Sequence, residues 1–211
     1  VGFYAVAAIP ARYTLERGDW AAAAALTPRT TPFPFIDAIT HFARAVGAAR
    51  SGQPEAAKAD ANKLTDLRAR LVSDKNEYWA QQVEIQHTAA LAWIALAEKK
   101  TDEALRLMRE AADVEDSTDK AAISPGPIAP AREMLGDMLL ELGRPAEALK
   151  ELEAVMVKEP NRFRTLHLGA RAASMNGDHA KARMLAARMI EMCPKGDDSR
   201  RELADARRMV R

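Results

Sequence analysis

Gly136 and Ala170, Gly143 and Gly177, Ala148 and Ala182, and Pro160 and Pro194 are each separated by thirty-four residues. A fixed period of this length is the signature of stacked helical hairpins, each too small to bury its apolar face alone and therefore obliged to lean on the next. Such an array leaves a curved wall open to a partner, so the repeat implies a kind of work, holding something, without naming what is held.

The matched positions also have a local physical reading. Leu135, Met138, Leu139 and Leu142 fall on one face of a helix. Gly143 suits the end of that helix, and Pro145 suits the start of the next, where a missing N–H costs nothing. Ala148, Leu149, Leu152, Val155 and Met156 continue the apolar stripe, and Pro160 closes the hairpin. The following unit repeats the scheme with Leu166, Gly169, Ala170 and Ala173, a turn at Asn176, Gly177 and Asp178, and then Ala182, Leu185, Ala186 and Met189. Gly or Ala recurs where helices must cross, because a small side chain lets two backbones approach.

Both units resemble tetratricopeptide repeats (TPR), with Leu135, Gly136, Ala148 and Pro160 in that family's signature places. Arg132 and Leu166 stand where the family favours Trp. The resemblance implies an all-α fold, a right-handed TPR-like superhelix (α-solenoid) of about five helical hairpins with a C-terminal capping helix.

Weaker copies of the pattern lie upstream. Ala104, Leu105, Met108, Ala111 and Ala112 follow a turn at Lys99 to Asp102, and Ala57, Ala61, Leu64 and Leu67 follow one at Ser51 to Pro54, itself preceded by Phe42, Ala45, Val46 and Ala49. A first turn is expected at Gly18 and Asp19. The hairpins expected are thus 3–26, 35–71, 76–115, 129–162 and 163–196, with a capping helix over 198–211 begun by Asp197 or Asp198 and packed through Leu203, Ala206 and Val210. Pro-containing breaks are expected at Thr27 to Pro34, Ser117 to Pro130 and Glu159 to Asn161. Nothing alternates with period two, so no strand is expected, and residues 1–211 read as a single array.

Composition fits thin layers of small side chains: of 211 residues 48% are hydrophobic but only 5% aromatic. The net charge of +1 favours neither nucleic acid nor a membrane surface. Charge is nevertheless uneven, with twelve Lys or Arg against six Asp or Glu from Asn161 onward and nineteen against twenty-four before it. This allows either ordinary solvated faces or an anionic partner near Arg162, Arg164 and Arg171. No nucleic-acid motif accompanies the basic residues, and no stretch reads as a membrane span.

No phosphate-binding glycine loop, HExxH, GxSxG or paired cysteine is present, so the chain is not expected to be an enzyme or to carry a cofactor or metal. Cys193 ends an inward stripe and reads as a buried thiol. His41 and His87 each lie on the first helix of a hairpin, His87 three residues after Glu84, and are read as packing or as a metal pair. The local candidate site combines the helix 78–86 with the long connector 115–133. Folded over the inner face, the connector would bring Glu115, Asp116 and Lys120 toward Arg132 and Glu133, beside Glu84, with Trp79 and Trp93 as an apolar floor. The alternative for these residues is a self-paired connector over core tryptophans. The repeat register places Arg12, Phe42, Val46, Ala89, Trp93, Glu133, Asp137, His167 and Arg171 on the concave face.

Along the chain, Ala8 to Arg12 (AIPAR), Leu15 to Trp20 (LERGDW), Phe42 to Gly52, Tyr78 to Gln86 (YWAQQVEIQ), Pro125 to Glu133 and Pro160 to Phe163 resemble the C-terminal part of larger bacterial TPR proteins without an assigned activity. That resemblance implies a bacterial source and a piece of a longer protein. Its relatives' N-terminal histidine motif is not in this sequence. The functional expectation is a non-catalytic scaffold that binds a protein or peptide with salt-sensitive affinity, able also to pair with a second copy through its N-terminal end. The alternative is a small-ligand or metal site, sensory or enzymatic, at 78–86 and 115–133. Localisation, cytoplasmic or periplasmic, has no signature here.

Overall fold

The computed structural model describes residues 2–118, 126–196 and 199–211, and all regular structure among them is helical. The helices are α1 (Gly2–Glu16), α2 (Trp20–Ala24), α3 (Pro34–Arg50), α4 (Pro54–Ser73), α5 (Glu77–Ala97), α6 (Thr101–Ser117), α7 (Ala131–Glu141), α8 (Pro145–Lys158), α9 (Phe163–Met175), α10 (His179–Met192) and α11 (Arg201–Met209). No strand occurs among the described residues.

One local device makes the hairpins. Gly18, Gly52, Lys99, Gly143 and Gly177 stand at the centre of the five intra-hairpin turns, each with φ between 63° and 80°. In every case the residue after the centre donates its N–H to a carbonyl five residues back: Asp19 to Thr14, Gln53 to Ala48, Lys100 to Ala95, Arg144 to Leu139 and Asp178 to Ala173, at 2.9–3.0 Å. This is the Schellman termination, which satisfies the orphan carbonyls of the outgoing helix while reversing the chain. Lys75, with φ 55°, makes the same turn between α4 and α5, where Asn76 N–H reaches Leu71 at 2.9 Å. Proline then starts α3, α4 and α8 without losing a needed donor.

Two compact units are present, the first running to Ala131 and the second from Arg132. In the first unit each helix packs on its successor from α1 to α6, and the first helices of successive hairpins also pack together, α1 on α3 and α3 on α5. The expected stripes are buried: Ala45, Val46 and Ala49 on α3, Ala57, Ala61 and Leu64 on α4, and Ala104, Leu105 and Met108 on α6. Gly47 marks the tightest crossing, where an added Cβ would lie 2.5 Å from the Ala24 nitrogen and 2.6 Å from the Trp20 carbonyl. Around that crossing Arg44 donates to the carbonyls of Ala24 and Leu26 at 3.0 and 2.7 Å, fastening the end of α2. The Arg50 guanidinium lies 3.8 Å from the Trp20 ring centroid and 4.0 Å from that of Trp93.

In the second unit α8 packs on α9, α9 on α10, and α11 on both α9 and α10. Gly136 on α7 is where Leu152 of α8 fits, since a Cβ there would approach its side chain to 2.6 Å. Leu166, Ala170, Leu185, Ala186, Met189 and Ala206 form one core cluster. Leu203 and Ala206 are buried as expected of a capping helix, whereas Val210 is 39% exposed because α11 has ended before it. Asp197 and Asp198 lie outside the described residues, and the residue preceding α11 is Arg200, which makes no side-chain capping bond. Cys193 follows α10 and is partly exposed, not the buried thiol expected, because the helix ends one residue earlier.

These turns allow a direct stability test. Lys75 and Lys99 carry a left-handed strain that glycine does not, partly offset by glycine's freedom in the unfolded chain. Lys99→Gly and Lys75→Gly should each raise the unfolding free energy by about 0.5–1 kcal/mol, and Gly143→Ala and Gly177→Ala should each lower it by about 1 kcal/mol. Urea unfolding followed by circular dichroism checks both signs.

Candidate functional site

The first helices of the first unit's three hairpins, α1, α3 and α5, bound a groove, and the end of the long connector lies in it. Tyr4, Phe35, Ile39, Trp79, Gln82, Val83 and Gln86 face Gly126, Pro127 and Ile128 across a residual gap of about 20 Å³, room for one water. Trp79 stacks on Phe35 at 4.1 Å with an interplanar angle of 11°, and Tyr78 meets Trp79 edge-on at 5.1 Å. Ile128 is 3% exposed. Arg12, on α1, donates to the backbone carbonyls of Gly126 and Pro127 at 2.6 and 3.2 Å. Two polar atoms close to this contact, Arg12 Nε and Gln86 Oε1, are buried with no hydrogen-bond partner among the described residues.

The expected floor of Trp79 and Trp93 therefore divides. Trp79 lines the groove, while Trp93 is 2% exposed in the core beneath Arg50. Phe42, Val46 and Ala89, expected on the concave face, are also core residues. The reason is that α3 is covered on several sides, by α1, α4 and α5, so the groove is left to residues one to three turns nearer the helix starts. Of that expected set in the first unit, Arg12 bonds to the described end of the connector.

The charged residues of the candidate site have separate partners. Glu84 pairs with Arg68 at 2.5 Å on the surface. Glu115 accepts the Ala131 N–H at 3.0 Å, fixing the end of the connector. Asp116 is exposed on α6, and Lys120 lies outside the described residues. Arg132 pairs with Glu151 at 2.5 Å within the second unit.

Glu133 and Asp137 form the charged centre of the second unit. Glu133, 1% exposed, accepts two bonds from Arg162 at 2.7 and 3.1 Å and one from the buried Thr165 hydroxyl. Asp137 accepts from Arg164 at 2.7 Å. The Arg162 and Arg164 charges are thus countered inside the unit, which leaves Arg171, exposed on α9, as the cation of that basic trio on the surface. His167 is buried, and burial, reinforced by the nearby positive charge of Arg171, pushes its pKa down to about 4 against the opposing pull of Glu202 and Asp205.

One polar centre in the first unit has no signature in the sequence. His41 Nδ1 lies 2.7 Å from Asp60 Oδ1, and Arg44 Nε donates to both Asp60 oxygens at 3.0 and 3.1 Å. Burial favours the neutral acid, but these two partners outweigh it and hold Asp60 below its ordinary value. The residues are nineteen and sixteen positions from Asp60, a separation that only knowledge of the hairpin would connect. His87 Nε2 lies 3.3 Å from the Thr65 hydroxyl, so His41 and His87 have different companions. Among the described residues no group of three or more His, Cys, Asp or Glu is placed to hold a metal.

A second concavity of about 790 Å³ opens between α1, the loop 26–31 and α3, lined by Phe3, Val6, Pro10, Leu26, Ile36 and Thr40 among others. Beside it α1 exposes Phe3, Val6, Ile9 and Tyr13 by 49–68%. No helix among the described residues is long and apolar enough to cross a membrane. No family model and no curated protein matches the sequence.

Two outcomes follow for the second unit. Glu133→Ala strands Arg162 beside a buried hydroxyl and should lower the unfolding free energy by about 3 kcal/mol, the low end for breaking a buried pair because the arginine keeps some solvent access; chemical denaturation measures this. His167 is neutral in the fold but takes up a proton on unfolding below its ordinary 6.5. Its contribution is therefore intact above pH 6.5 and is lost as pH falls toward 4, by roughly 3 kcal/mol at most. Stability measured against pH should lose that part of its slope in His167→Gln.

Proposed function

We propose that the chain is a helical-repeat scaffold of the TPR type, a right-handed array of hairpins without catalytic activity, whose α1, α3 and α5 groove binds protein partners through an extended peptide segment. The observation that carries this reading is the groove's grip on Gly126–Ile128. Arg12 takes two main-chain carbonyls of this irregular stretch, and the aromatic wall faces its one buried aliphatic side chain. Main-chain recognition with a side-chain anchor is how extended peptides are bound in general.

The exposed apolar row of α1 supports a second contact, self-association through Phe3, Val6, Ile9 and Tyr13. A contiguous apolar face beside a concavity is costly to leave in water. A small-ligand or metal reading of 78–86 and 115–133 has less support, since Glu84, Glu115 and Arg132 each have a partner of their own.

Selection from a random peptide display library tests the groove. The full chain should enrich extended peptides, and Phe35→Ala with Trp79→Ala should weaken the selected peptides at least tenfold, about 1.4 kcal/mol or more, with the helical content unchanged. No enrichment, or equal binding by the variant, contradicts the reading. For self-association, sedimentation should show a concentration-dependent dimer that Ile9→Asp weakens at least tenfold.

A further inference from the structure

We propose that Gly126-Pro127-Ile128-Ala129-Pro130 is the groove's built-in occupant, and that the external partner offers a segment of like chemistry, an extended run with proline followed by an aliphatic residue, which enters by displacing it. This rests on the reading of the groove as a peptide site.

The connector has the properties of a ligand rather than of a packed turn. Proline at 127 and 130 fixes the backbone and removes donors, so the segment exposes carbonyls that its own structure does not satisfy. Residues 126–130 form no helix or strand. Arg12 takes the carbonyls of Gly126 and Pro127, and the buried Ile128 faces Phe35, Ile39, Trp79 and Val83 across the small gap.

The fit is also incomplete in a way that favours exchange. Arg12 Nε is a donor and Gln86 Oε1 an acceptor, and neither finds a partner among the described residues. An incoming segment that offers Gln86 an N–H and Arg12 a further carbonyl satisfies atoms that the built-in segment leaves bare. The occupant holds its place because it is tethered between α6 and α7. A short tether confers an effective concentration on the order of millimolar, enough to mask a micromolar ligand by about a hundredfold or more. The groove is therefore closed to weak ligands and open to ones that make the two extra bonds.

Fluorescence polarisation with a labelled Gly-Pro-Ile-Ala-Pro peptide, blocked at both ends, tests this on the full chain. Pro127→Ser combined with Ile128→Ser should bind the peptide at least tenfold more tightly than the parent chain, and adding Arg12→Gln should remove at least tenfold. Equal affinity of parent and double variant, or no binding by either, overturns the inference. If library-selected peptides of other sequence still bind the groove, the peptide-site reading survives that failure; if none binds, both fall. Should the double variant lose its helical circular dichroism, hydrogen exchange on the parent chain decides instead. Millimolar peptide should speed exchange at the Ile128 and Ala129 amides at least tenfold, and unchanged exchange overturns the inference.

Discussion

Each hairpin reverses on one residue held at positive φ, and most of the arrangement depends on that reversal. The turn starts the second helix after three intervening residues, which brings the apolar stripes of the two close in the chain and able to pack. Short side chains at the crossings let the helices close: Gly47 against the backbone of α2, Gly136 against Leu152, and Gly169 against Met156 and Leu185. Lys75 and Lys99 show that the geometry outranks the residue type. The chain bears strained lysines at these two sites and keeps the same hydrogen bond.

Polar chemistry in the interior serves the same end. Asp60 collects His41 and Arg44, Arg44 fastens the end of α2, Asp37 accepts the Thr31 N–H at 3.0 Å, and Glu133 gathers Arg162 and Thr165. Each is a buried charge that is satisfied by its neighbours, as a charge removed from water must be. In the groove the bookkeeping is left open at Arg12 and Gln86. Trp93 Nε1 in the core of the first unit and Arg200 Nε just before α11 are likewise buried without a hydrogen-bond partner among the described residues.

Helices, turns and stripes were legible because each depends on residues close in sequence. The inward residues of α4, α6 and α10 are those read from spacing. The groove was less legible. Arg12, Trp79 and the end of the connector meet there, whereas Phe42, Val46, Ala89 and Trp93, expected on the concave face, are buried in the core. A stripe read from one strand of sequence cannot distinguish the face met by a hairpin partner from the face met by the neighbouring hairpin, and α3 and α5 have both. Likewise Glu133 and Asp137 read as charges for a partner, whereas Arg162 and Arg164 claim them from 29 and 27 positions away. The repeat period alone does not report such a pairing.

Native-state hydrogen exchange in mild denaturant tests most directly whether hairpins, each closed by its own turn and supported by its neighbours, are the units of this fold. In the first unit α1 and α2 bury only Ala8, Ala11, Thr14, Leu15 and Ala23, so their amides should open at a lower free energy than those of α3, α4, α5 and α6. The two helices of each hairpin should open together. A single opening free energy shared by α1 through α6 would contradict hairpin-by-hairpin construction.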